Sequence, residues 1–482
     1  MADTLRPSLR LRQSEQRMVL LIGDLIASIG AVFGALYVWR EYNHYVLLAK
    51  GFTERQIKIF FPNSVETPIW FYLLPLIWLL LMVELYEPHA AASWRRTLRG
   101  IAIAFFVGIL GYSFIFTFNQ DPNSLPRIGV GGFLIIASLL TLGWRGIYIR
   151  LYTSSGLMRR VFVVGAGKAG VTLAEVYRGL RPPPFSMVGF IDDDVHKAGK
   201  RYHGVRVLGQ SKNLLKLIDE FRISNLVIAI TDEIKGSTFQ VILDAQERGV
   251  EVTRMPIIYE EIMGRVPIHH LESDWVIRSF VDQVRVSGVY ELLKRLMDIL
   301  GGLSGLVILA IIYPFAALAT IMDSGLPIFY SQPRLGMGGT VFKIHKFRTM
   351  WQDAESDGEV RMAAKKDPRV TRVGYFLRRT RLDEFPQFWN VLRGEMSLVG
   401  PRAERSELVA QFQKQIPFYR ARLLVKPGLT GWAQINYGYV ADVTETSVKL
   451  EYDLYYIKHR TLGLDFQIIL RTIGTVFRAA GR

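Results

Sequence analysis

The chain has 482 residues, half of them hydrophobic, with a mean hydropathy of +0.19 and a formal net charge of +16. It contains no cysteine, which excludes disulfides, thiolate catalysis and cysteine-ligated metals, and its eight histidines show no metal-binding spacing. The basic excess beside apolar segments points to an anionic bilayer surface or phosphorylated substrates; without a zinc-finger, basic-zipper or aromatic RNA-binding pattern, nucleic acid is not expected as a partner.

Four apolar runs fill the first third: Met18–Trp39 with Asp24 as its one charge, Pro68–Val83, Gly100–Phe118 and Ile128–Trp144. A bilayer core takes about 20 apolar residues in a helix, so the second and fourth runs are short ones. They predict a four-helix transmembrane domain over 18–152 behind an N-terminal segment, 1–17; the alternative is a set of buried core helices. The first run is long and lacks a small-residue cleavage site, so it is expected to remain as an anchor. Basic clusters at Arg6, Arg10, Arg12 and Arg17, at Arg95, Arg96 and Arg99, and at Arg145, Arg150, Arg159 and Arg160 alternate with poorer loops. That alternation predicts a cytoplasmic N-terminus and a cytoplasmic location for everything after the fourth run.

A small doubly wound α/β unit is expected over 158–285. Val161–Val164 reads as a strand, and Gly165, Gly167 and Gly170 follow in the G-x-G-x-x-G pattern that opens a helix. A second strand ends at Asp192, where a dinucleotide fold places its ribose-binding acid. The glycines suit either a nucleotide loop or a plain tight turn. Asp192, Asp193 and Asp194 also contain the Asp-x-Asp of many metal-dependent glycosyltransferases, although a turn is the simpler use at a strand end. Tyr290 and Lys294 form a Tyr-x-x-x-Lys pair beyond this unit, which reads as coincidence.

A fifth apolar segment runs from Lys294 to Gly325 and is interrupted by Pro314. Proline inside a helix removes a hydrogen bond and bends it. Lys294 and Arg295 mark its start as cytoplasmic, and residues 323–482 carry 25 Lys and Arg against 16 Asp and Glu. Both ends on one side predict a re-entrant helix over about 294–322, broken at Pro314; a plain fifth span is the alternative. The remainder, 291–482 in all, is expected to be a compact basic domain.

Within it, "LRRTRLDEFPQFWNVLRGEMSLVGPR" places Asp383 and Glu384 behind Arg378, Arg379 and Arg381 at the mouth of a helix. A helix N-terminus favours negative charge, and nearby arginines lower carboxylate pKa values. An ionised carboxylate in a cationic pocket can serve as nucleophile or metal ligand. The same cations, with Lys346 and Arg348 at the end of a preceding strand, would neutralise a diphosphate. Mg²⁺ bridging Glu384 and phosphate oxygens would complete such a site. A capped surface helix with a salt-bridge cluster is the bland alternative.

These segments, with "QPRLGMGG", "FKIHKFRTM" and "VKPGLTGWAQI" in this order, resemble the large bacterial polyprenyl-phosphate phosphoglycosyl transferases, over essentially the whole chain. The resemblance implies an α/β membrane protein: four N-terminal transmembrane helices, a Rossmann-like α/β module and a monotopic catalytic domain with a re-entrant membrane helix. It implies transfer of a sugar 1-phosphate from a UDP-sugar to undecaprenyl phosphate with release of UMP, on the cytoplasmic face of the bacterial inner membrane, in exopolysaccharide assembly. Asp383 matches the family's nucleophile, which forms a covalent phosphosugar intermediate. Glu384 matches the Mg²⁺ partner, Arg378 a phosphate-contacting arginine, Arg402 an arginine tied to the uridine nucleotide and Pro314 the helix-breaking proline. A homodimer is implied as well. The stretch "INYGYVADVTETSVKLEYDLYYIKHRTLGLDF" is similar to the exosortase-associated subgroup. Two positions depart from the family: Tyr313 precedes the helix-breaking proline in place of serine, and Ala403 follows Arg402 in place of proline.

Two other classes compete. A membrane-anchored NAD-dependent nucleotide-sugar dehydratase or epimerase would use the Gly165–Gly170 loop and a catalytic Tyr/Lys pair inside an extended α/β domain. A non-catalytic assembly scaffold would tolerate loss of Asp383. The C-terminal run "LGLDFQIILRTIGTVF", with Arg471 and Arg478, is expected to lie amphipathically in the membrane interface.

Overall fold

The structure is a computed structural model, described for residues 13–61, 67–86, 91, 93–118, 126–152, 158–181, 183–231, 233–271, 287–352, 354, 367–438 and 442–477. Arg6, Arg10, Arg12, Arg478 and residues 272–285 of the expected α/β domain lie outside these. The chain forms two compact units, 1–255 and 256–482.

In the first unit the apolar runs become α1 (Gln13–Ala49), α2 (Glu54–Phe60), α3 (Leu74–Leu81), α4 (Trp94–Phe118) and α5 (Arg127–Tyr152). By length and composition α1, α4 and α5 can cross a membrane; the expected second span is a shorter apolar helix over Ile69–Leu81. Helix α1 lies along α5, where small residues let the backbones approach: a Cβ added to Gly132 would stand 3.7 Å from Ala35. Trp78 from α3 is buried and donates to Thr141 of α5 at 3.1 Å. The lone charge of the first run, Asp24, is met by Arg145 at 2.7 Å, and neither side chain has any exposed surface. Arg145 also donates to the Leu85 carbonyl at 3.2 Å and lies 5.2 Å from the Tyr86 ring centroid. The basic residue read as a topology signal is therefore also the partner that makes an intramembrane carboxylate tolerable.

The α/β module comprises β1 (Arg160–Val164), α6 (Lys168–Gly179), β2 (Ser186–Ile191), β3 (Arg201–Tyr202), β4 (Val205–Gly209), α7 (Leu214–Phe221), β5 (Asn225–Ile228), α8 (Gly236–Glu247) and β6 (Glu251–Arg254). They form one sheet in the order β3-β4-β2-β1-β5-β6, parallel apart from β3. The near-continuous Val/Phe run of β1 is explained by burial on both faces. Gly165 turns the chain at φ +105°, and Gly170 brings α6 so close that a Cβ there would meet the Gly165 carbonyl oxygen at 2.1 Å.

The second unit begins with α9 (Met255–Met263). Residues 256–271 were expected with the α/β module, but they pack here: Trp432 donates to the Gly264 carbonyl at 2.7 Å, and Val266 and Ile268 join this unit's core. Helix α10 (Gly288–Ser324) is 37 residues long. Pro314 lies inside it without ending it, which corrects the expected break. The proline costs one hydrogen bond, while the turns after it are held by packing of Ala316 against Phe347 and Leu377. Then come β7 (Phe329–Leu335) paired antiparallel with β8 (Val341–Phe347), α11 (Arg372–Arg379), a 3-10 segment (Leu382–Gln387) and α12 (Phe388–Arg393). The unit closes with β9 (Ser397–Val399), α13 (Ser406–Phe412), β10 (Gly428–Thr430) parallel to β9, α14 (Trp432–Asn436), α15 (Val443–His459) and α16 (Leu462–Phe477).

One face of α10 is bound along its length to this unit. Gly301, Gly302 and Gly305 leave no room for a side chain beneath Leu398, Leu392 and Phe388. Arg295 donates to the Val391 and Leu392 carbonyls at 2.9 and 2.6 Å, and Asp298 accepts from Ser397 and Leu398 at 2.9 Å each. At the far end Asp323 accepts from the Val373 amide at 2.9 Å. The opposite face is exposed and apolar: Leu292, Leu296, Leu300, Leu303, Val307, Ile311, Phe315, Leu318 and Met322. That spacing of three or four marks one continuous stripe.

Part of helix α16 packs on this unit's core. Ile468 is fully buried in the core, and the Arg471 guanidinium lies 5.6 Å from the Trp432 ring centroid. The described part of the helix contacts α14 and β9.

Candidate active site

The acidic pair lies in the first turn of the 3-10 segment, and α12 starts four residues after Glu384. Arg381, at φ +56°, makes the left-handed turn that separates α11 from this segment. The segment packs on β8, and Asn390 locks the arrangement. Its amide donates to the Lys343 carbonyl and to Glu395, both at 2.7 Å, and its oxygen accepts from the His345 amide at 3.3 Å.

This packing sets Lys346 of β8 against Glu384. Lys346 Nζ and Arg402 Nη2 both donate to Glu384 Oε1, each at 2.8 Å, while Arg381 Nη1 stands 4.0 Å from Oε2. Arg378 donates from Nε to Thr349 at 2.8 Å, and its charge acts on Asp383. The structure thus gathers Asp383, Glu384, Lys346, Arg378, Arg381 and Arg402 from β8, α11, the 3-10 segment and the loop after β9.

Arg348 does not join them. It is buried, and its guanidinium donates to Leu326 and Ser324 carbonyls at 2.9 and 2.8 Å, capping the C-terminal end of α10. Its expected phosphate contact is corrected accordingly: a helix end has unpaired carbonyls, and they take this arginine's donors.

The two carboxylates differ electrostatically. Burial opposes ionisation of Glu384, but Arg402 and Lys346 hold its carboxyl well below the usual range. Asp383 goes the other way. It is 8% exposed, and burial together with the neighbouring Glu384 charge pushes it up to about 6, against the pull of Lys346, Arg378 and Arg402. Cations were expected to lower both; desolvation and like charge win at Asp383 because the nearest cations are already paired with Glu384. Asp383 is still mostly anionic at neutral pH, and more basic than an ordinary carboxylate.

No cluster of three or more His, Asp or Glu side chains able to hold a metal occurs among the described residues. Glu384 Oε2 is the less engaged oxygen of the pair's glutamate, so these residues fit a magnesium ion only if phosphate oxygens and water complete its shell.

The other candidate sites are used by the fold. Asp192 Oδ2 accepts from the Ala166 amide at 2.7 Å and from Lys197 at 2.9 Å, and its Oδ1 accepts from Asp194 N at 2.9 Å. Asp193 is bound by Ser211 and Thr238. Both acids are engaged by hydrogen bonds within the α/β module. Tyr290 and Lys294 both contact Asp465, at 3.0 Å each, and anchor the start of α10 to α16.

Sequence reasoning did not find the half-buried Glu404 or the buried Arg422 and Asp453, which lie behind Arg402. Arg422 and Asp453 are 2.8 Å apart and 31 residues apart in the chain, a separation that no local pattern announces.

Residues 289–479 match the bacterial sugar transferase family, and residues 82–256 match a CoA-binding domain. The UDP-glucose:undecaprenyl-phosphate glucose-1-phosphate transferase of Escherichia coli (strain K12) is 31% identical over 411 residues, 80% of this chain and 85% of that one. The enzyme of the same description from Xanthomonas campestris pv. campestris is 30% identical over 71% of each chain. The UDP-N-acetylgalactosamine-undecaprenyl-phosphate N-acetylgalactosaminephosphotransferase of Aeromonas hydrophila is 38% identical over 52% of this chain, a match that spans 58% of that relative's length.

Proposed function

Because the chain belongs to the bacterial sugar transferase family, the polyprenyl-phosphate phosphoglycosyl transferases, we propose that it moves a sugar 1-phosphate from a UDP-sugar to undecaprenyl phosphate and releases UMP. This is the first membrane step of an exopolysaccharide's assembly. The observation that carries the chemistry is Asp383: a buried carboxylate of raised basicity beside Glu384, ringed by Lys346, Arg378 and Arg402.

In the first half-reaction an Asp383 oxygen attacks the sugar-linked phosphorus of the donor. The bond from that phosphorus to the bridging oxygen breaks, and UMP leaves with the electron pair. Lys346, Arg378 and Arg402 offset the charge that otherwise keeps a carboxylate from a diphosphate, and a fixed cationic site needs little reorganisation to do so. Glu384 would hold Mg²⁺ with the phosphate oxygens, and that ion, when bound, supplies further charge neutralisation. In the second half-reaction a phosphate oxygen of undecaprenyl phosphate attacks the same phosphorus. The Asp383–phosphorus bond breaks, the carboxylate is regenerated and the lipid diphosphate sugar departs. No net proton transfer to the protein is needed.

The lipid acceptor requires the site at the membrane surface. Helix α10 supports a one-leaflet, re-entrant placement, with Pro314 bending the helix without ending it: both its ends hydrogen-bond to the same catalytic unit, and the exposed stripe faces outward along nearly its whole length. Tyr375 and Phe376 of α11 are also exposed, between Arg372 and Arg379, as suits a helix lying among headgroups. The alternating basic clusters support a cytoplasmic face of the inner membrane. Tyr290 and Lys294 contact Asp465 outside the α/β module and lend the dehydratase alternative no support.

Purified protein given a UDP-sugar, undecaprenyl phosphate and Mg²⁺ should release UMP, and donor alone should leave a phosphosugar on Asp383, detectable as an intact-mass increment. UMP release with no such adduct under rapid quench would overturn the covalent route; its absence across UDP-glucose, UDP-galactose and their N-acetyl forms would overturn the donor class.

A further inference from the structure

Behind Arg402 lies a set of charges that the transfer chemistry does not use. Arg422 is 5% exposed and Asp453 2% exposed. Arg422 Nη1 donates to the Tyr419 hydroxyl at 2.8 Å, and Nη2 donates both to Asp453 at 2.8 Å and to the backbone carbonyl of Arg402 at 3.2 Å. Glu404, two residues after Arg402, is approached by Lys449 at 3.3 Å, Arg422 at 3.5 Å and Arg334 at 3.9 Å. Arg334 donates in turn to the Ala403 carbonyl at 3.3 Å. Consecutive carbonyls of the loop after β9 are therefore held by two different guanidinium groups. The Glu404 backbone is held as well, by the Leu335 amide at 3.0 Å.

Burial of so many charges is costly, and replacement by apolar packing is often neutral or stabilising. A stability role alone does not account for it. What the network accomplishes geometrically is to fix the peptide that carries Arg402, whose side chain reaches Glu384 at 2.8 Å. Alanine follows Arg402, so no proline ring stiffens the loop at 403, and side-chain donors hold it instead.

We infer that Arg422 is a positioning residue for the donor nucleotide: held by Asp453 and Tyr419, it fixes the Arg402 peptide so that the Arg402 guanidinium meets both Glu384 and the departing UMP. This rests on the proposed contact of Arg402 with the nucleotide. A lysine at 422 keeps the charge but has a single nitrogen, which cannot occupy both the Nη1 position beside Tyr419 and the Nη2 position beside Asp453 and the Arg402 carbonyl.

The test is a double-mutant cycle on UMP affinity, measured by titration calorimetry on the full chain in detergent. Arg422→Lys should weaken UMP about tenfold, a factor usual for a displaced charged hydrogen bond. Arg402→Ala should weaken it at least as much, and the double variant should bind no more weakly than Arg402→Ala alone. In turnover, Arg422→Lys should raise the UDP-sugar KM while leaving that for undecaprenyl phosphate unchanged, a split that general loosening of the fold would not give. If Arg402→Ala weakens UMP and Arg422→Lys adds its full factor in that background, the positioning role is overturned while the nucleotide contact stands. If Arg402→Ala binds UMP like the wild type, the nucleotide contact itself falls and the positioning role with it. Should Arg422→Lys fail to fold, Tyr419→Phe, which removes one hydrogen bond to the same guanidinium, takes its place in the cycle with the same outcomes at smaller amplitude.

Discussion

Two of the buried aspartates that lie near arginine, Asp24 and Asp383, differ in what is left over. In the helical bundle Asp24 and Arg145 face each other with no exposed surface, one anion to one cation, and the remaining guanidinium donors go to Asp24 and the Leu85 carbonyl. In the catalytic unit two acids meet Lys346, Arg378 and Arg402, and the cations satisfy Glu384 first. Asp383 keeps its charge near several cations, has no matched one of its own and is pushed up to about 6. A closed pair makes structure. A pair with surplus positive charge and a basic carboxylate makes a site for an anionic substrate.

Substitutions at the two aspartates should therefore part company. Asp383→Asn should cut UMP release by about 10³-fold or more, as loss of a nucleophile does, with the unfolding temperature unchanged. Asp24→Asn should do the reverse. It leaves Arg145 buried without a counter-charge, at about 3–5 kcal/mol, so folded yield in membranes should drop while the surviving protein turns over normally. Equal turnover losses in the two variants, per folded molecule, would erase the distinction.

The pH profile sharpens it. Asp383 must be anionic to attack, and its carboxyl sits near about 6, so kcat/KM for the donor should fall as pH drops through that value. Arg378→Gln removes a cation that favours the anion, so the acid limb should move to higher pH. A limb near 4, unchanged by that variant, would place an ordinary exposed carboxylate in the role.

The smallest effect is expected at Asp192. Asp192→Ala frees the Ala166 amide and Lys197, which should cost the α/β module about 1–3 kcal/mol and leave sugar-phosphate transfer unaltered. A loss of turnover at constant stability would show that the Gly165–Gly170 loop serves catalysis.

Much of this architecture is legible locally. The apolar runs, the glycine turn after β1 and the acidic pair ahead of Pro386 all carry short-range patterns; the glycine turn occupies its expected place, while the acidic pair lies in a 3-10 segment just ahead of α12. Arg348 was misplaced because nothing local distinguishes an arginine facing a phosphate from one facing a helix C-terminus; both present oxygen acceptors. The break at Pro314 was overread because a proline's cost is fixed, about one hydrogen bond, whereas the packing that offsets it is tertiary. The second apolar run had the composition of a span without its length.

From residue types and spacing alone came the apolar helices, the α/β module, the segments that carry the family resemblance and the candidate acidic pair Asp383 and Glu384, because these depend on periodicity and on adjacent side chains. The tertiary structure decided which cations reach which acid, that Glu384 rather than Asp383 is the neutralised partner, and that Arg422 and Asp453 stand behind Arg402. Desolvation and charge pairing depend on distance in space, and contacts between β8, the 3-10 segment, the loop after β9 and α15 exist only once the chain has folded.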